Sequence, residues 1–104
     1  MIFVTFTAKT NYMPKYVIER EIPGAGNLGK DDLRNISQKS CSVIKEIGSS
    51  IEWIESFVTN DKLYCVYNAD NIDLVKEHAQ KGGFPANKIE EVRNVISPAT
   101  AEID

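Results

Sequence analysis

The chain has 104 residues, a formal net charge of −3 at neutral pH and 42% hydrophobic residues. This length fits one domain with a single core. The acidic balance argues against a nucleic-acid or anionic-membrane partner, because the chain has no basic stripe to replace condensed counterions. The longest apolar runs are only a few residues, so we expect no membrane-spanning segment.

The N-terminus does not have the features of a secretory signal. Residues 1–8 are apolar, but they lack a basic start, sufficient length and a clear cleavage site. We therefore predict a cytoplasmic protein. Its two cysteines, Cys41 and Cys65, are then expected to be free thiols, and their spacing matches no CxxC redox or zinc-ribbon pattern.

The domain is predicted to cover residues 13–101. Met13-Pro14 looks like an ordinary translation start, so we interpret residues 1–12 as an N-terminal arm that the domain does not need. The alternative is that this arm, which alternates Phe, Val and Thr, forms a short extra strand. Residues 102–104 are predicted to be a polar C-terminal tail.

The first half of the domain is predicted to form a strand, a loop and a helix. Residues 15–22 alternate, with Arg20 on the same face as Tyr16 and Ile18. The glycines of the loop at 23–29 fit neither a dinucleotide fingerprint nor a P-loop. Apolar residues then recur at helical spacing up to Gly48, with Cys41 at the border of the apolar arc.

Residues 51–67 predict a β-hairpin, because two runs of β-branched and aromatic residues flank Asn60-Asp61. In a regular ladder Ile54 lies opposite Tyr67, and Cys65 shares their face. The opposite face of the hairpin then carries Trp53, Glu55, Phe57, Tyr64 and Val66.

The second half of the domain is predicted to continue with a helix at 72–81 and a strand at 89–96. The helix is expected to start at Asp70 as its N-cap, and its inward arc includes His78. The order is strand, helix, strand, strand, helix, strand. This order is typical of the ferredoxin-like βαββαβ fold, an α+β fold with a four-stranded antiparallel sheet and both helices on one face.

The other face of the sheet is predicted to be too apolar to stay bare, so we expect a homodimer in which two sheets enclose a barrel-like interior. The residues predicted on this face are Val17, Glu19, Glu21, Trp53, Glu55, Phe57, Tyr64, Val66, Glu91, Arg93 and Val95.

Four segments carry a resemblance to a known family: MPKYVIEREIPGAG at 13–26, SQKSC at 37–41, WIESFVTNDKLYCVY at 53–67 and EHAQKGGFPA at 77–86. The chain resembles the small bacterial domain-of-unknown-function family that includes a nickel-binding protein. The resemblance covers residues 13–101, and residues 1–12 have no counterpart in its pattern. It implies a ferredoxin-like protomer, a dimeric α+β barrel and nickel binding.

His78 is the only histidine, so a conventional mononuclear zinc enzyme site within one subunit is not expected. His78 is predicted to face the sheet, where Cys65 lies on the covered side, so the two side chains could meet. Imidazole with thiolate suits a late first-row divalent ion such as nickel, with Cys41, a carboxylate or the second subunit completing the shell. The alternative is that His78 is a packed core residue.

The presumed barrel interior suggests a second function. Glu19 and Glu55 beside Trp53 and Tyr64 could bind a small hydrophobic molecule or support a cofactor-free enzyme, although Arg93 could equally form a structural ion pair there. No nucleophile, base and acid pattern supports catalysis. A third alternative is a structural or regulatory interaction module.

Overall fold

The structure, a computed structural model, describes residues 12–103. The predicted N-terminal arm therefore lies almost entirely outside the described residues. The secondary structure elements are β1 (Lys15–Glu21), α1 (Lys30–Ile47), β2 (Ile51–Val58), β3 (Lys62–Ala69), α2 (Ile72–Gly82) and β4 (Lys88–Glu91). Two short 3-10 turns, Ala25–Asn27 and Pro98–Glu102, complete the list.

The four strands form one antiparallel sheet in the order β2-β3-β1-β4. Helix α1 packs against α2 and β2, and α2 packs against β3. This arrangement confirms the predicted ferredoxin-like fold. Within residues 12–103, no helix has both the length and the hydropathy needed to cross a membrane.

The core lies between the sheet and the two helices. Alternate residues of β1, Tyr16, Ile18 and Arg20, are buried on this side, and β3 contributes Cys65 and Tyr67 from the same side. Ile18 is opposite Cys65, so the two central strands present one continuous buried surface. Arg20 is the charged member of an otherwise largely apolar strand face.

Local sequence signals set the ends of both helices. Asp31 and Asp32 lie in the first turn of α1, where their charges favour the positive end of the helix dipole. The N-cap of helix α2 is Asn71, whose side chain accepts a hydrogen bond from the Leu74 N–H at 3.1 Å. Asp70 was the predicted N-cap, and the cap is instead its neighbour. The helix ends at Gly82, and the next residue, Gly83, caps it in the left-handed region with a φ of 71°.

The hairpin contains a bulge at Ile54 that the regular ladder did not predict. Pairing follows the prediction from Val58 back to Glu55, but Trp53 rather than Ile54 then lies opposite Tyr67. A bulge inserts one extra residue into a strand and reverses the faces beyond it. Trp53 therefore lies on the helix side of the sheet. Its predicted place on the open face, which is the side of the sheet away from the helices, is wrong.

Strand β4 is shorter than the predicted strand at 89–96. Its last pairing joins Glu91 to Tyr16, and the Val92 N–H then bonds to the Lys15 carbonyl at 2.8 Å. Lys15 is the first residue of β1, so the ladder has no further partner. Glu91 thus lies on the Tyr16 side, and Arg93 and Val95 follow the end of the sheet, which corrects their predicted positions on the open face.

Candidate ligand-binding cavity

A cavity of about 310 Å³ lies between α1 and the sheet. Most of its walls are hydrophobic, and its polar groups are one guanidinium, one phenol, one indole N–H, one thiol and three serine hydroxyls. The cavity is lined by Arg20, Ile22, Leu33, Ile36, Ser37, Ser40, Trp53, Ser56, Val58, Leu63, Cys65, Tyr67 and Phe84. The bulge in β2 contributes to this lining, because it turns Trp53 toward the helices.

Arg20 is the central polar group of the cavity and is only 2% exposed. Its Nε donates to Cys65 Sγ at 3.3 Å, one terminal nitrogen donates to Tyr67 Oη at 3.3 Å, and the other donates to the Pro85 carbonyl. Among the described residues, no carboxylate forms an ion pair with Arg20. The cation is thus held in the interior by neutral groups alone.

Two aromatic rings flank the guanidinium. Its central carbon lies 5.3 Å from the centroid of Phe84 and 6.0 Å from the centroid of Tyr67. Ring faces attract a cation at such distances, so they offset part of the cost of burying it. Phe84 is positioned by the turn after α2, where Gly82 leaves the space that the phenyl ring occupies.

His78, on α2, is fully buried beside the Tyr67 and Phe84 rings. Its Nε2 is 3.0 Å from Ser40 Oγ, while its Nδ1 has no hydrogen-bond partner among the described residues. The ring centroid lies 4.9 Å from that of Tyr67 and 5.7 Å from that of Phe84. Burial and then the Arg20 charge lower the pKa of His78 from 6.5 to about 4, so the imidazole is neutral at physiological pH.

The four residues predicted to bind a small molecule are not brought together. Glu19 lies on the open face and forms an ion pair with Lys62 at 2.8 Å, and this hydrogen bond lowers the pKa of Glu19. Glu55 is exposed and Tyr64 is partly buried on the same face. Trp53 is on the other side of the sheet, where it lines the cavity and donates from Nε1 to Ser56 Oγ at 2.9 Å.

The three predicted metal ligands are also differently placed. Cys41 is exposed on α1, whereas Cys65 and His78 are both buried beneath the helices. In the described part of the chain, no three His, Cys, Asp or Glu residues are grouped as a metal site would require. His78 Nδ1 has no hydrogen-bond partner among the described residues and so could act as a metal ligand. Arg20, however, contacts the Cys65 sulfur and would repel a divalent cation there. The residues within one protomer do not fit a nickel centre.

Sequence patterns indicated no functional role for Arg20, Ser40 or Phe84. For Arg20 a signal was present, since a charged residue alternated with Tyr16, Ile18 and Ile22 on the face predicted to be covered. Such a residue needs partners in the interior. Its partners lie 45, 47 and 65 positions away, and local patterns do not identify them.

Comparison with known proteins agrees with this fold. The crystal structure of SCO4226 from Streptomyces coelicolor A3(2) is similar, with a TM-score of 0.67 and 16% sequence identity over 79% of this chain and 99% of that chain. No curated protein matches the chain. Residues 16–92 match the family described as "Nickel responsive protein SCO4226-like". That match includes both helices and all four strands except Lys15, the first residue of β1, and the chain therefore belongs to the nickel responsive protein SCO4226-like family.

Proposed function

We propose that this protein is a binding protein that holds one small, mainly apolar organic molecule in the cavity between α1 and the sheet. The observation that carries the proposal is the cavity itself, about 310 Å³ of largely hydrophobic lining with a few polar groups around Arg20. Ligand sites are usually concave and apolar, with a small number of placed polar groups, and begin at about 300 Å³. The proposed small-molecule site therefore lies on the helix side of the sheet, whereas the sequence-based prediction was for the open face.

The polar groups in and behind the cavity favour binding over catalysis. Ser40 and His78 are within hydrogen-bond distance, which is the first requirement of a nucleophile and base pair. However, the pKa of His78 is lowered to about 4, and its Nδ1 has no orienting carboxylate among residues 12–103. An imidazole with so low a pKa is a poor general base for removing the proton of a serine hydroxyl at neutral pH.

A neutral fluorescent probe, N-phenyl-1-naphthylamine, tests this proposal on full-length, tag-free protein. We expect its emission to rise on binding to the wild type. Ser37→Phe should abolish the increase, because Ser37 lines the cavity and a phenyl ring would fill it. Gln38→Phe is the matched control, since Gln38 is exposed on the same helix. No emission change with the wild type, or equal binding by both variants, would reject the cavity as the site.

Nickel binding is the second candidate function, and family membership is the observation that favours it. His78 and Cys65 are the proposed ligands, with Cys41, a nearby carboxylate or the second subunit completing the shell. The charge of Arg20 is the structural argument against this site. Calorimetric titration of tag-free protein with nickel would support it if binding is lost in both His78→Ala and Cys65→Ser. Equal affinity in folded variants would assign His78 to core packing.

We also propose that the protein acts as a cytoplasmic homodimer, built through the open face of the sheet. Phe57 is 53% exposed on that face, next to partly buried Tyr64 and Val66. A second copy of the same face would cover these side chains and is the simplest self-complementary partner. The two free cysteines are consistent with a reducing compartment.

A further inference from the structure

We infer that the cavity selects organic anions, specifically a monocarboxylate with an apolar body, and that Arg20 binds the carboxylate. This inference rests on the proposed function, since it names the chemical class of the molecule that the cavity holds. It is carried by an imbalance of charge. Arg20 is a permanent cation, 2% exposed, and its three partners are a thiol, a phenol and a peptide carbonyl.

Among the described residues, four other cations have carboxylate partners, and Arg20 has none. Within residues 12–103 the ion pairs join Arg34, Lys62, Lys81 and Lys88 to acidic side chains. All of these cations are more exposed than Arg20, so they need a counter-charge less. A buried charge without an opposite charge is unfavourable, and an anionic guest in the cavity would offset that cost.

The hydrogen-bonding capacity of Arg20 also leaves room for a guest. A guanidinium carries five N–H donors, and the contacts to Cys65, Tyr67 and Pro85 use one on each nitrogen. One donor remains on each of the two terminal nitrogens. A carboxylate accepts hydrogen bonds from this fork in pairs, which gives both affinity and orientation.

The remaining lining restricts the rest of the guest. Arg20 is the only charged residue among those that line the cavity, so a single negative charge is balanced and a second would not be. A cationic guest would meet the guanidinium without any carboxylate to offset it. Leu33, Ile36, Trp53 and Phe84 supply apolar surface for a ring or short hydrocarbon body.

The lowered pKa of His78 is consistent with a positive potential in this region. The Arg20 charge contributes, after burial, to the lowered pKa of His78. A positive potential that disfavours protonation of an imidazole favours an anion at the same place. The geometry of the cavity and the absence of a carboxylate partner carry the inference without this observation.

Competition against N-phenyl-1-naphthylamine tests the inference with three guests of nearly equal shape: 3-phenylpropionate, 3-phenylpropanol and 3-phenylpropylamine. At neutral pH we expect the acid to displace the probe from the wild type at least about tenfold more strongly than the alcohol, as one good charge-assisted contact would produce. The amine should be the weakest of the three. This comparison requires no variant.

Arg20→Met should remove the preference for the acid while retaining binding of the alcohol, because Met keeps an apolar chain of similar length. Arg20→Lys keeps the charge and should keep a reduced preference. If Arg20→Met does not fold, the Lys variant and the wild-type comparison still decide the matter. Equal displacement by acid and alcohol from the wild type would overturn anion selection while leaving the proposed binding function intact. Failure of the probe to bind at all would overturn both.

Discussion

His78 Nε2 lies 3.0 Å from Ser40 Oγ, and this buried contact joins α2 to α1. The imidazole also packs between the rings of Tyr67 and Phe84, so one side chain connects both helices with the sheet. Because the site is apolar and lies near the Arg20 cation, the neutral imidazole is strongly preferred. This preference makes the stability of the domain sensitive to acid.

The first prediction concerns pH. The folded pKa of His78 is about 4, below the ordinary 6.5, so the unfolded chain takes up a proton first as the pH falls. The contribution of neutral His78 to the unfolding free energy is complete above pH 6.5, the ordinary pKa, and is lost as the pH falls from there to about 4. A difference of this size corresponds to roughly 3 kcal/mol of unfolding free energy. Urea denaturation from neutral pH down to the folded pKa should show this loss in the wild type.

His78→Gln provides the comparison for that measurement. Gln can hydrogen-bond to Ser40 but does not titrate, so the pH slope of its unfolding free energy should be shallower in the same interval. All other ionisable groups are shared by the two proteins. Parallel pH profiles for the wild type and the variant would show that His78 is not the group responsible.

The second prediction uses Trp53, the only tryptophan of the chain. Its indole lines the cavity, so an apolar guest should displace water from it and shift its emission to shorter wavelength. The shift should saturate at the same guest concentration as probe displacement. Ser37→Phe should show no shift on addition of the guest. Displacement of the probe without any change in tryptophan emission would place the guest elsewhere.

The sequence predicted the fold well because its periodic signals are local and consistent with one another. Alternation in β1, the helical arcs and the turn at Asn60-Asp61 each determine one element. The bulge was missed because β2 has apolar residues in adjacent pairs, Trp53-Ile54 and Phe57-Val58, which suit either face. Only packing against Tyr67 in the assembled sheet selects the face on which Trp53 lies.

The cavity was harder to predict than the fold, because it is defined by side chains that are distant in sequence. Arg20 and Phe84 are 64 positions apart, and the guanidinium is 5.3 Å from the phenyl ring. Neither residue belongs to a motif with chemical meaning. A charged residue on a buried strand face indicates that a polar arrangement exists, but the fold decides whether its partners are acids, neutral groups or a ligand.

The third prediction concerns assembly. Phe57→Glu places a charge on the open sheet face and should raise the dissociation constant of the proposed dimer by at least about tenfold. Gln80→Glu adds the same charge on the exposed side of α2 and should have no effect. Sedimentation analysis at micromolar concentration measures both. A wild-type monomer of 11.6 kDa would rule out the dimer.

Trp53→Glu distinguishes the two faces of the sheet in the same experiment. Trp53 lies on the helix side, so this change should lower the stability of the protomer rather than act directly on the dimer. Thermal unfolding should therefore separate the two variants, with Phe57→Glu much closer to the wild type. A stable Trp53→Glu protomer with impaired assembly would contradict the bulged register.

The fourth prediction concerns Gly82, the last residue of α2. Its φ is not in the left-handed region, so alanine can adopt its backbone conformation, and on helix propensity alone Gly→Ala would stabilise by up to about 1 kcal/mol. A Cβ at this position, however, would overlap the ring of Phe84. We expect Gly82→Ala to lower the unfolding free energy by about 1–3 kcal/mol, as other overpacking substitutions do.

Gly82→Ala should also weaken probe binding, because Phe84 lines the cavity and lies over Arg20. Gln80→Ala, an exposed change on the same helix, should stay within about 0.5 kcal/mol of the wild type and bind the probe normally. A stabilised Gly82→Ala protein with unchanged probe binding would mean that Phe84 is free to move away without cost, and that its contact with the guanidinium does not shape the cavity.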